Sequence, residues 1–115
     1  MITRHSHNAR DGHRLETEIE LGGAQVLRIS TSKAMGGSLD TRGSVHHAAG
    51  GFMRHTLYED FSSRLLSTRP KRVTQQVVMD QHREVLSQLD EVKLAVEMHY
   101  QQREQAKAGK EPIHA

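Results

Sequence analysis

Histidine is the most conspicuous residue with chemical potential in this chain. There are nine, with His46 and His47 adjacent, His55 close behind them, and His5, His7 and His13 upstream. Imidazoles hold zinc when three or four ligands converge on a tetrahedron. Consecutive residues of a strand point to opposite faces, so His46 and His47 cannot normally serve one ion. A register that pairs odd with odd positions sets His55 beside His47 and leaves His46 on the other side. No acidic residue stands at ligand spacing around them. His46, His47 and His55 are therefore weak metal candidates, better read as polar residues at the rim of a sheet, and no cofactor is expected. The chain has no cysteine, which removes thiolate zinc sites and disulfides.

A nucleophile, base and acid can be assembled from Ser44, His46 and Asp40, which share one face of a strand. No nucleophile-elbow pattern surrounds them. Neither GxGxxG nor GxxxxGK occurs, so the glycines mark turns and not a phosphate cradle. Glu16, Glu18 and Glu20 alternate as the solvated face of a strand does. These absences make a non-enzymatic protein the expectation. The densest basic cluster is Arg64, Arg69, Lys71 and Arg72, placed where a long helix begins. Positive charge there opposes the helix macrodipole, and nonspecific phosphate contact is the functional alternative to a solubilising joint. Only four aromatic residues are available, Phe52, Tyr58, Phe61 and Tyr100, too few for a base-stacking platform.

The elements that would carry these residues are legible from periodicity. Glycine pairs at 22–23, 36–37 and 50–51 recur every 14 residues and punctuate three alternating segments. Leu15, Thr17, Ile19 and Leu21 oppose Glu16, Glu18 and Glu20. Leu27, Ile29 and Thr31 oppose Arg28, Ser30 and Ser32. Leu39, Thr41, Gly43 and Val45 oppose Asp40, Arg42 and Ser44. Every apolar set falls on odd numbers. A two-residue Gly-Gly turn would pair odd with even, so a three-residue loop closing on a left-handed Gly23 is predicted, with Glu16 opposite Arg28. In the fourth segment Met53, Leu57 and Phe61 continue the odd face, while Leu57, Phe61 and Leu65 also form a helical series.

From Pro70 to Ala106 there is no glycine or further proline, and Thr68 is a candidate N-cap. Val78, His82, Val85, Leu89, Val92, Val96 and His99 follow at alternating spacings of four and three, a heptad-like seam. A helix of that length outruns any one sheet of nine-residue strands. Val85, Leu89, Val92 and Val96 are therefore expected at an interface with a second copy. A histidine in such a seam is read as a satisfied core residue.

The predicted fold class is α+β: an antiparallel meander of three or four strands packed against a long C-terminal helix. The expected elements are strands over 13–21, 25–33, 38–47 and 52–59, a short helix or turn over 61–67, and a helix over 70–106. A flexible segment over 1–12 and a tail over 108–115 flank one domain at 13–107. With 35% hydrophobic residues the core is thin, which favours further burial against a partner. The polar N-terminus and the lack of a bilayer-length apolar run lead to the expectation of a cytoplasmic protein without membrane contact. The functional expectation is a small binding, adaptor or regulatory protein, with inhibition among the regulatory roles, that acts through protein–protein contact as a homodimer. Accessory nucleic-acid binding through the Arg64–Arg72 cluster is the alternative.

Overall fold

Strict alternation of apolar and charged residues builds half-buried strands, and the middle of the sheet follows it. The computed structural model describes residues 1–10, 12–48 and 56–110. Its elements are β1 (Ile2–Asn8), β2 (Gly12–Gly22), β3 (Gln25–Lys33), β4 (Leu39–Ala48), β5 (Thr56–Thr68), α1 (Gln75–Leu86) and α2 (Leu89–Lys110). The strands form one antiparallel sheet in sequence order, a five-stranded meander. The fold class is α+β, with a sheet one strand larger than the upper expectation and two helices in place of one.

Odd-numbered residues do form the inner face. Leu27, Ile29, Leu39, Val45, Thr17, Thr31 and Thr41 are fully buried there, while Glu16, Glu18, Arg28 and Ser44 are only half-buried on the other side. The parity is achieved by a different device from the predicted loop. Gly22, Gly23 and Ala24 all have positive φ (89°, 59° and 62°). Gly22 pairs with Gln25 across a two-residue Gly23–Ala24 turn, and an irregularity between Glu20 and Gly22 restores odd-to-odd pairing. Arg28 thus lies opposite Glu18, and Glu16 opposite Ser30.

Two expectations about the outer elements are corrected. Residues over 1–12 include a regular strand, β1, held to β2 by pairs running from Ile2 with Glu18 to Asn8 with Gly12. Its inward positions are Thr3, His5 and His7, so no apolar alternation announces it. The strand expected over 52–59 is present at 56–59, with residues 52–55 outside the described ones, and the short element expected over 61–67 gives way to its continuation as the 13-residue β5. The β4–β5 register shifts at three places, between Thr41 and Arg42, Val45 and His46, and His46 and Ala48. Each shift resets the alternation, which is why a strand can carry helix-like apolar spacing. One shift leaves Leu65 unpaired, and Leu65 packs over Gly43, where an added Cβ would lie 3.0 Å from its Cδ1.

The predicted helix over 70–106 is broken. Thr74, not Thr68, caps α1 by accepting a hydrogen bond from Val77 N–H, and Pro70 lies before the helix. At its end Ser87 N–H donates to Arg83 C=O (2.8 Å) and Ser87 Oγ to Glu84 C=O (2.6 Å), after which α2 begins at Leu89. Interrupting a helix forfeits a few hydrogen bonds worth about 0.5–1.5 kcal/mol each. Re-aiming the chain buries Val92 and Val96 with Ile19, Leu27, Ile29, Val45, Phe61 and Val85, at roughly 1.5–3 kcal/mol per side chain. Burial wins.

A second apolar cluster, Leu15, Leu39 and Val78, lies further along the sheet. Among the described residues no helix is long and apolar enough to cross a membrane.

Candidate functional site

Because both helices pack on the odd face, three features carry polar chemistry: a buried polar seam, the even face, which no described helix covers, and the β1 edge.

The seam is built where α1 crosses the sheet. His82 is 2% exposed; its Nε2 is 2.7 Å from Thr17 Oγ1 and its Nδ1 2.8 Å from Thr31 Oγ1. Thr31 continues to Thr41 (2.7 Å), and Thr17 to Thr3 (2.9 Å) on the edge strand. Gln81 Nε2 donates to Leu39 C=O (2.8 Å) and to Thr41 Oγ1 (3.2 Å), and Thr68 donates to Gln81 Oε1. The network ties every strand to α1. Its direction follows from counting protons, since each hydroxyl donates only once. Thr41 is fully buried and accepts from Gln81, so its own proton goes to Thr31. Thr31 then donates to His82 Nδ1, His82 Nε2–H to Thr17, and Thr17 to Thr3, whose proton meets water. The histidine is the neutral Nε2–H tautomer, and burial holds its pKa below the ordinary value. The arrangement is a structural joint.

The even face carries charge and hydroxyls. Arg28 reaches both carboxylates of β2, with Nη2 3.2 Å from Glu18 Oε1 and Nε 3.3 Å from Glu16 Oε1, while Arg14 Nη2 lies 3.1 Å from Glu16 Oε2. Such part-exposed pairs contribute little each. A groove of about 660 Å³ opens beside them, lined among others by Ile2, Arg4, Glu18, Val26, Arg28 and His46. Ser44 Oγ and His46 Nε2 are in hydrogen-bond contact at 2.6 Å. Asp40 does not join them. It sits six residues along the strand from His46, about 20 Å at the rise of a strand, and accepts from Ser67 (2.6 Å) and Ser38 (2.9 Å). The Ser67 bond foremost, with Ser38, Arg64 and Arg42, holds the Asp40 carboxyl below its usual range. The three members of the paper triad are thus a pair and a distant, separately engaged acid.

The histidine groups are redistributed. His46 pairs with Val26 and His47 with Gln25, on opposite faces, and His55 lies outside the described residues. The β1–β2 hairpin instead gathers His5, His7 and His13. His5 Nε2 is 3.0 Å from His13 Nδ1, and the His7 and His13 rings lie 4.3 Å apart. Partial desolvation, then His7 and His5, push the His13 pKa down. Among the described residues no group of three or more His, Cys, Asp or Glu is arranged to hold a metal ion.

The basic cluster is split. Arg64 stands opposite Arg42 on the even face, Arg69 Nη1 donates to Gly36 C=O (3.3 Å), and Lys71 and Arg72 are exposed in the segment ahead of α1. The expected interface is internal. Val85, Val92 and Val96 are 6%, 8% and 4% exposed, and Leu89 packs on the same cluster. They meet the chain's own sheet, so they offer no free seam to a second copy.

The residues that sequence reasoning missed are those of β1. All seven are exposed on the outermost strand, and the pairing with β2 behind them is unbroken. The only signal in the sequence was the recurrence of His5, Thr3 and His7 at the spacing of one strand face. Comparison with known proteins found no matching family model, no similar curated protein and no similar solved structure.

Proposed function

We propose that this protein is a non-enzymatic binding module that acts through polypeptide contact at the β1 edge. The supporting observation is the contrast between the two edges of the sheet. β5 is interrupted by three register shifts along its pairing with β4, whereas β1 is regular over seven residues and wholly exposed. Alternate residues of an edge strand direct N–H and C=O away from the sheet, and another strand is the partner that matches that row. Each hydrogen bond contributes about 0.5–1.5 kcal/mol, against roughly 4–15 kcal/mol lost on association. The edge alone gives a weak contact, and side chains of the adjoining groove, Ile2, Arg4 and Val26, supply the rest. An adaptor and an inhibitor both use such a surface.

The test is co-purification from the native host with a tagged chain, with and without nuclease. Two variants accompany it, Arg4→Pro and His5→Pro. Neighbouring residues direct their N–H groups to opposite sides, so one proline removes only an outward donor and the other breaks the β1–β2 ladder; melting curves tell them apart. The expected partner survives nuclease and is lost with the variant that melts normally. A partner retained by both variants overturns the reading.

A second reading rests on Arg64 beside Arg42 and on exposed Lys71 and Arg72. Nonspecific phosphate contact would give weak nucleic-acid binding that falls steeply with salt. Changing Arg64, Lys71 and Arg72 together to Ala should weaken it steeply without unfolding. No binding at low salt eliminates this reading.

A further inference from the structure

We infer that the strand completing the β1 edge is β1 of a second copy, antiparallel, about a twofold axis through His5. The inference rests on the edge-binding reading and names its partner. Residues directly opposite in an antiparallel pair share a face. A self-pairing that keeps the helix-covered faces of both copies on one side must therefore match odd with odd residues. Three such registers use most of the strand: those centred on Arg4, His5 and Ser6. Centring on Arg4 brings two guanidinium groups face to face, which is unfavourable. Centring on either Arg4 or Ser6 pairs five of the seven residues, whereas centring on His5 pairs all seven.

The His5 register is also chemically consistent. Ile2 then faces Asn8 of the other copy, Thr3 faces His7, and Arg4 faces Ser6. Arg4 has Glu16 opposite it on β2 and meets only the neutral Ser6 of the other copy, so no like charges come together in this register. The two His5 rings meet at the axis. Each is drawn back towards β2 by the 3.0 Å contact with His13, stacked on it with ring centroids 5.2 Å apart. The product is one continuous sheet of ten strands, with the helices of both copies on the same side. No rearrangement is required, because β1 is straight in register and nothing among the described residues covers it.

The absence of cysteine makes the register directly testable. Opposite Cα atoms in antiparallel strands are about 4.5–5.5 Å apart, within disulfide reach. His5→Cys should convert under mild oxidation to a covalent dimer of twice the 13.0 kDa chain mass. Ile2→Cys is the control: the two Ile2 positions lie six residues apart along the paired strands, about 20 Å, and should remain uncoupled. Sedimentation of the unaltered chain should show a concentration-dependent monomer–dimer equilibrium, lost with the proline variant that blocks only the outward edge. Equal coupling of His5→Cys and Ile2→Cys, or a monomeric mass at every concentration, overturns the inference. If another polypeptide is captured through β1 while His5→Cys does not couple, the edge reading stands and self-pairing falls. If neither occurs, both fall.

Discussion

Lowering the pH should unlock α1 from the sheet through His82. The neutral ring accepts at Nδ1 from Thr31 and donates at Nε2 to Thr17. Protonation turns Nδ1 into a donor aimed at a hydroxyl that is itself donating, so the chain of bonds must reverse against Thr41 and Gln81. Burial adds the cost of placing charge in the core, and the folded pKa lies below the ordinary 6.5. The sign follows from linkage. The unfolded chain binds the proton more readily, so this contribution is complete above about pH 6.5. It is lost as pH falls from there towards the folded pKa, at up to ~1.4 kcal/mol per pH unit. Against a total of roughly 5–15 kcal/mol for a domain, a slope of that size is measurable. His82→Ala removes the group and leaves a cavity beside two hydroxyls that keep their outer partners, Thr3 and Thr41. It should cost about 2–4 kcal/mol at pH 8. Denaturant unfolding of both proteins at pH 8, 7, 6 and 5 provides the assay. The gap between them should shrink as pH falls, which isolates His82 from His13 and other titrating groups. A gap of the same size at every pH would refute the reasoning, as would a ring found charged in the core by NMR at pH 7.

Two backbone positions give further checks. Gly23→Val forces a β-branched residue to φ 59° and should lower stability by about 1–2 kcal/mol, visible in a thermal melt; an unchanged midpoint would contradict the turn. Gly43→Val pushes branched methyl groups towards Leu65 and should cost about 1–3 kcal/mol, with Leu65→Ala introduced on top restoring part of the loss; additive losses would contradict the packing.

The centre of the molecule was legible because its strands alternate without fault. β2, β3 and β4 announce themselves by Leu15, Ile19, Leu27, Ile29, Leu39 and Val45 at odd positions, and the odd face is the inner one although Gly23–Ala24 and a bulge, not a three-residue loop, keep the parity. The edges were not legible, for opposite reasons. β1 places Thr3, His5 and His7 on the core-side face beyond the reach of the helices, so no hydrophobic signal marks it. β5 carries ample apolar residues, but shifts of register scramble their period, and adjacent Leu65 and Leu66 both pack on the core. The helix break lacks glycine and proline; it is dictated by where Val92 and Val96 find apolar neighbours, which is information held by the sheet. The same division applies to the site. Ser44 and His46 share a strand face by simple alternation, whereas the joint through Gln81, His82 and five threonines needed the register of all five strands.

The irregularity of β5 has a consequence for stoichiometry. A sheet with two smooth edges is a monomer in the polymer chemist's sense, bifunctional and able to grow without limit into a fibre. With β1 pairing as inferred, one end would join and the other would be stoppered by its shifts of register. Chains that join through β1 would expose only β5 at both outer ends, and growth would stop at two. The same bulges that hide β5 from periodicity would then make the protein an end-capped unit.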